Sequence, residues 1–182
     1  MALAIFATGA VDRQAADAAS FTTKARFSID RTILKLPSVV ATIEPRPNAP
    51  GSRWLLVHFY AFPLTPEDIA IAKTGNVDPL DKRWKSLADH PSQYNVSSAL
   101  LQLSIDKDAN VSQIDLAVPG HTCTIAPSDT QAKAMLQDYH FDGQRLRLKA
   151  RGNYLCHMNV VNEPDPVFGW DVDVDLPVFA SK

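Results

Sequence analysis

Apolar and polar residues alternate along most of this chain with a period of two, the spacing of β-strands that bury one face. Between Arg145 and Arg151, leucine and alanine alternate with arginine and lysine. Between Trp170 and Phe179, apolar residues alternate in the same way with aspartate. The pattern predicts an all-β, mainly antiparallel fold.

The segment from Arg53 to Phe62 departs from this alternation because both of its faces are apolar, which predicts a central strand buried on both sides. The dipeptide Asp142-Gly143 favours a tight hairpin turn. Shorter alternating segments predict further strands at residues 25–29, 32–44, 99–105, 114–118 and 121–126.

Two segments carry helix signals instead. Thr65-Pro66 supplies an N-cap followed by proline at the first helical position, and predicts a helix from Pro66 to about Lys73. Asp78-Pro79 repeats this signal for a second short helix. We therefore expect a two-sheet β-sandwich or a partly closed barrel, with one or two short helices at one end.

Residues 1–20 form a signal-like or disordered segment, and residues 21–182 form a single β domain. The first segment has a short apolar stretch, and Ala16-Asp17-Ala18 has the form of a cleavage site. A basic start is missing, since the first Lys or Arg is Arg13. We expect a signal peptide and a periplasmic or secreted protein; a cytoplasmic protein with an N-terminal tail is the alternative.

The chain has two cysteines, Cys123 and Cys156. In an exported protein the default is a disulfide between them, and this is the interpretation we favour. Two reduced, buried thiols are one alternative. A zinc site that adds His121 and His157 is another, but the spacing argues against it because Cys156 and His157 point to opposite faces of a strand. We expect no metal and no cofactor.

Two rows of like charge face outward from two predicted strands. If these strands are neighbours, the rows pair across the solvated face of one sheet, and we favour this structural role. Calcium binding by the acidic row and anion binding by the basic row are the alternatives. The basic row is Arg145, Arg147, Lys149 and Arg151, and the acidic row is Asp171, Asp173 and Asp175.

Ligand-binding candidates lie on one face of the predicted central strand. Trp54, His58 and Tyr60 are separated by four and two positions, so a strand places them on the same face. A histidine in such a row is most often a hydrogen-bonded core residue. If the strand lines a cavity, the same face suits a small apolar ligand.

Composition limits the function. The 182 residues carry 18 Lys and Arg against 20 Asp and Glu, a net charge of -2, which gives no overall signal for nucleic acid. No apolar run is long enough for an integral membrane segment. The sequence contains no nucleophile elbow, zinc-protease motif or phosphate-binding glycine loop, so we expect no catalytic residue by motif.

The order of several segments resembles an uncharacterised family of secreted bacterial all-β domains of unknown function. The resemblance rests on the strand from Trp54 to Phe62, on Pro66-Glu67-Asp68, on the segment from Leu103 to Asp108, on the segment from Phe141 to Leu146, and on the last strand. It implies an exported all-β domain and brings no catalytic residue.

These observations favour a non-catalytic binding or interaction module whose partner is an unknown protein or small molecule. A lipocalin-like carrier of a small apolar ligand is the first alternative. A hydrolase without a recognisable motif is the second.

Overall fold

The computed structural model describes residues 22–30, 32–46, 51–80, 82, 100–118, 121–156 and 165–180. These residues are mostly β and form one mixed sheet that is not closed. The predicted segment 1–20 lies outside them. The strands are β1 (Thr22–Ile29), β2 (Thr32–Lys35), β3 (Ser38–Pro45), β4 (Arg53–Tyr60), β5 (Leu100–Ile105), β6 (Val111–Val118), β7 (His121–Ile125), β8 (Leu136–Phe141), β9 (Arg145–Leu155) and β10 (Val167–Ala180); the helices are α1 (Pro66–Ala72) and α2 (Asp129–Met135).

The longest strand, β10, joins the sheet into one. Its N-terminal part lies between β1 and β9, and its C-terminal end pairs with β3, with Val178 opposite Ala41. The β10–β3 pair is parallel, and the other pairings between described strands are antiparallel, as the alternation predicted. We call β2, β1, β10, β9 and β8 the first half of the sheet, and β3 to β7 the second half.

The prediction of a central strand between Arg53 and Phe62 is confirmed. Strand β4 pairs with β3 on one side and β5 on the other. Its residues from Leu55 to Tyr60 are buried, while Trp54 near its start is half-buried.

Helix α1 forms where the cap signal predicted it. The Thr65 hydroxyl accepts a hydrogen bond from the Asp68 amide at 3.2 Å, and the Asp68 carboxylate accepts one from the Thr65 amide at 2.9 Å. This reciprocal capping satisfies two amides that the first turn leaves without helical partners. Of the second predicted helix, residues 78–80 are helical, and residues from 83 onward lie outside the described part of the chain.

The main hydrophobic core receives side chains from both halves of the sheet. Phe27 and Leu148 enter it from the first half, and Val57, Leu103 and Ile114 from the second. Burying such apolar surface is the main favourable term in folding. The two halves therefore stabilise each other around one core.

The cysteine pair connects strands that are far apart along the sheet. Cys123 lies on β7, the last strand of the second half, and Cys156 follows β9 in the first half; their Cα atoms are 6.1 Å apart, with the sulfurs at disulfide-bonding distance. Helix α2 contacts β6, β8 and β9, and so also touches both halves. The sheet consequently curls until its distant strands meet.

No helix within the described ranges is long and apolar enough to cross a membrane.

Candidate binding face

The two charged rows lie side by side, because β9 and β10 are neighbouring antiparallel strands. Asp173 lies opposite Lys149, and Asp175 lies opposite Arg147. On the other side of β10, strand β1 places Lys24 opposite Asp173 and Arg26 opposite Asp171. The acidic row is therefore flanked by basic residues on both sides.

We call the outward surface of the first half the charged face. Seven cations and four carboxylates lie on it, so the face is basic although the whole chain has a net charge of -2. The fold thus places an excess of positive charge on one face, although the net charge of the whole chain is negative. The charged residues of this face are Lys24, Arg26, Lys35, Arg145, Arg147, Lys149, Arg151, Asp138, Asp171, Asp173 and Asp175.

Ion pairs neutralise one end of the charged face, which we call the ion-paired end. Arg145 Nε lies 2.5 Å from Asp175 Oδ1, and Lys149 Nζ lies 3.4 Å from Asp173 Oδ2. Arg147, by contrast, binds Asp138 on β8, with Nη2 2.7 Å from Oδ2. These three pairs use the basic residues of β9 at the ion-paired end, whereas Lys24, opposite Asp173 on β1, forms no ion pair in the described part of the chain.

The Arg147–Asp138 contact also perturbs the two ionisations. The hydrogen bond from Arg147 holds the pKa of Asp138 below its ordinary value, and the same hydrogen bond raises the pKa of Arg147. Both groups therefore stay charged near neutral pH, as an opposite charge in hydrogen-bonding contact requires.

The other end of the face, which we call the basic end, has an excess of positive charge. Arg26 and Arg151 lie on either side of Asp171, directly across from it on β1 and β9. Neither guanidinium forms an ion pair within 4.0 Å in the described part of the chain, and the same holds for Lys24 and Lys35. Four cations without an ion pair thus lie near Asp171 and Asp173, and Asp173 is already paired with Lys149.

Two grooves open at the basic end. The larger, of about 490 Å³, is lined by Lys24, Arg26 and Lys35 together with Asp171 and Asp173. The smaller, of about 290 Å³, lies over Gly169 and shares Arg26 and Asp171 with the first; Ser28, Ile33, Arg151 and Asn153 also line it.

Glycine at position 169 shapes the smaller groove. Gly169 lies between Ser28 on β1 and Asn153 on β9. A Cβ atom at Gly169 would lie 2.5 Å from Ser28 Oγ, closer than real Cβ atoms come. With glycine at this position, the Ser28 hydroxyl lies close to the β10 backbone, and no side chain projects from position 169 into the groove.

Exposed aliphatic side chains border this groove. Ile33 lines it and is 67% exposed. Leu155 and Val167, opposite each other on β9 and β10, lie one outward-facing position beyond Asn153 and Gly169 and are 45% and 42% exposed. Three of the four exposed large hydrophobic residues in the described ranges therefore gather at the basic end, the fourth being Ile69 on α1.

The predicted ligand residues of β4 lie in the other half of the sheet. His58 and Tyr60 stack with their ring centroids 6.2 Å apart, and both are buried. Trp54 is half-buried, and the Arg46 guanidinium lies 5.0 Å from the centre of its ring. The sequence correctly placed these residues on one strand, but His58 and Tyr60 are not presented to solvent.

Burial lowers the pKa of His58 from 6.5 to about 4, and the carboxylates of Glu44 and Asp115 act in the opposite direction. His58 is therefore neutral at physiological pH. Ser104, on the neighbouring strand, is also fully buried, and its Oγ makes no hydrogen bond in the described part of the chain. This arrangement does not form the hydrogen-bonded pair of nucleophile and base that a serine hydrolase uses.

The cysteine geometry bears on the zinc alternative. Cys123 and Cys156 lie at disulfide-bonding distance from each other, and His157 lies outside the described residues. Among described residues, no group of three or more His, Cys, Asp or Glu side chains is close enough together to hold a metal ion.

A third groove, of about 300 Å³, lies where α1 crosses the ends of β3 and β10. It is lined by Val40, Leu64, Ile69, Leu176 and Phe179, among other uncharged residues. Trp54, His58 and Tyr60 do not line this groove, but Val40 lies opposite His58 and packs in one buried cluster with Tyr60.

Sequence reasoning missed Lys24, Arg26 and Lys35. Lys24 and Arg26 alternate with Ala25 and Phe27, so the local pattern shows that they face outward. Nothing in that pattern shows that β1 lies beside β10, since the two strands are about 140 residues apart in the chain.

Comparison with known proteins gave no match to a family model, a curated protein or a solved structure. The resemblance to secreted bacterial all-β domains therefore remains a prediction.

Proposed function

We propose that this protein is a non-catalytic binding module that works outside the cytoplasm and recognises an acidic, partly aliphatic segment of a partner protein. The observation that carries the proposal is the division of the charged face. One end is neutralised by three ion pairs, and the other combines unpaired cations, two grooves and exposed aliphatic residues.

Charge and hydrophobicity together favour a polypeptide ligand. Unpaired guanidinium groups attract carboxylates and bind them with two parallel hydrogen bonds. Clustered exposed aliphatic residues favour a partner that covers them. No Phe, Tyr or Trp faces outward among the described residues of the charged face, so it lacks the stacking platforms that single-stranded nucleic acids use.

The cysteine pair supports the proposed location. Disulfides persist in oxidising compartments and are rare in the cytosol. The signal-like segment 1–20 and the resemblance to secreted bacterial domains favour the same periplasmic or secreted site. We further propose that the two halves of the sheet form the two layers of a β-sandwich, which the shared core and the Cys123–Cys156 geometry support.

Selection from a phage-displayed library of random peptides tests the binding function. We expect enriched peptides to contain Asp or Glu close to Leu, Ile or Val, and to lose affinity as salt is raised. The variant carrying both R26Q and R151Q should bind them at least ten times more weakly. The matched control, carrying both R145Q and R147Q, removes the same charge from the ion-paired end and should retain binding.

Two results would overturn the proposal. One is the absence of acidic residues from the enriched peptides. The other is equal loss of affinity in both double variants, which would show that net charge rather than the basic end governs binding.

A carrier of a small apolar ligand is the second candidate, because the groove beside α1 has an uncharged lining and the volume of a small ligand. Native mass spectrometry of protein recovered from its own host tests it. A bound molecule that is lost when Val40 is replaced by Glu, in a variant that melts cooperatively, supports the carrier. Protein free of any bound molecule contradicts it.

A further inference from the structure

We infer that the groove over Gly169 is a subsite for a single carboxylate group, supplied by an Asp or Glu side chain of an extended peptide. The inference rests on the proposed binding function and specifies how the basic end recognises its ligand.

Two arginines line the groove, one on each side of β10. Arg26 and Arg151 lie on the strands that flank β10, so their backbones are about 10 Å apart, two strand spacings. Both side chains line the groove, and neither is used in an ion pair within the described residues. A carboxylate between them can accept hydrogen bonds from both sides.

Asp171 limits the charge that the groove accepts. Its carboxylate lines the same groove, between the two arginines. A phosphate dianion placed there meets this negative charge at close range, whereas a carboxylate brings only one charge. Asp171 can also accept a hydrogen bond from a ligand amide, which a peptide offers and a free inorganic anion does not.

The residues around the groove indicate which kind of residue follows the acidic residue in the peptide ligand. Ser28 and Asn153 add a hydroxyl and an amide at the level of Gly169. Val167 and Leu155 lie two residues further along their strands, about 7 Å away. A carboxylate at the level of Asp171 would be four residues from Val167, whereas one over Gly169 is two residues from it. An extended peptide has the same spacing between residues i and i+2, so an acidic residue at i whose carboxylate lies over Gly169 places an aliphatic residue at i+2 over Val167 and Leu155.

NMR titration of the ¹⁵N-labelled full chain tests the subsite with defined probes. The first probe is the blocked peptide acetyl-Gly-Glu-Gly-Leu-Gly-amide, which carries one carboxylate, and the second has Gln in place of Glu. We expect saturable shifts of the Gly169 and Asn153 amides, with affinity for the Gln peptide at least ten times lower. A peptide with Glu and Leu three residues apart should bind less tightly than the first, and inorganic phosphate at equal ionic strength should bind less tightly than acetate.

The double variants used above complete the experiment. The R26Q and R151Q variant should lose the shifts, and the R145Q and R147Q control should keep them; thermal melts establish that both are folded. Equal affinity for the Glu and Gln peptides, or shifts spread evenly over all lysines and arginines, would overturn the subsite.

The two proposals fail in different ways. If peptides selected from the library depend on Arg26 and Arg151 but the Gly169 amide does not respond to the Glu peptide, the binding function stands and the carboxylate subsite is wrong. If the selected peptides are indifferent to these arginines, the binding function itself is wrong.

Discussion

Asp171 lies directly opposite Arg151 in the β9–β10 ladder, yet the two side chains form no ion pair. Two positions along, Asp173 and Lys149 are also opposite each other and do pair, at 3.4 Å. Cross-strand neighbours of opposite charge therefore behave differently at the two ends of one face. This difference separates the ion-paired end from the basic end, where we propose that the ligand binds.

The Arg145–Asp175 pair should contribute little to stability. Both side chains are partly exposed, so solvent screens their attraction. A double-mutant cycle with R145Q and D175N, followed by urea unfolding, should give a coupling energy of about 0.2–1 kcal/mol. The coupling should shrink further in high salt. A coupling energy several times larger would mean that the ion pairs between β9 and β10 stabilise the fold as a whole and do more than set the register of the two strands.

Oxidation of the cysteine pair should stabilise the protein. Closing the loop between Cys123 and Cys156, 33 positions apart, restricts the unfolded chain and adds about 3–4 kcal/mol in the chain-entropy model. We expect the intact mass without reductant to be lighter by about two protons than the reduced mass. Urea unfolding with and without reductant measures the energy.

The variant with both cysteines replaced by Ala is the control for that experiment, because reductant should not change its stability. An oxidised wild-type protein no more stable than its reduced form would contradict the expectation.

His58 should make the protein less stable in acid. Its folded pKa of about 4 lies below the ordinary 6.5, so the unfolded state binds a proton first as pH falls. The free energy of unfolding should therefore be unaffected by His58 above about pH 6.5 and decrease from there down to about pH 4, by about 3 kcal/mol in total. Urea unfolding at a series of pH values measures this slope.

A variant with His58→Gln should have a flatter profile between pH 6.5 and 4. His140→Gln supplies the matched control, because it removes a histidine that is exposed on β8 rather than buried. A profile as steep in the His58→Gln variant as in the wild-type protein would contradict the prediction.

Adding a single carbon atom at Gly152 should destabilise the protein. A Cβ atom at this position would overlap the indole ring of Trp170, which is buried on the neighbouring strand. Gly152→Ala should lower the free energy of unfolding by about 1–3 kcal/mol, because the packed ring has to move. Asn153→Ala, one residue along and exposed, should change it by less than about 0.5 kcal/mol. Thermal melts of both variants make the comparison, and equal stability would show that the ring moves freely.

The local features of this protein follow from its sequence alone. Period-two alternation predicted β9 and β10 because each residue's face follows from strand geometry alone. The Thr65 cap predicted α1 because its hydrogen bonds join residues only three positions apart. The apolar faces of β4 predicted its central position because a strand exposed on one side would leave those residues in water.

Which of these segments lie next to each other depends on the tertiary fold. The sequence could not show that β1 lies beside β10, or that Arg26 and Arg151 approach Asp171 from opposite sides, because strand pairing joins residues far apart in the chain. The burial of His58 was expected from the two apolar faces of β4, but the sequence could not show which charged groups influence it, since Glu44 and Asp115 come from other strands. The net charge of -2 likewise did not indicate a basic face, because net charge sums all charged residues and carries no information on where they lie in the fold.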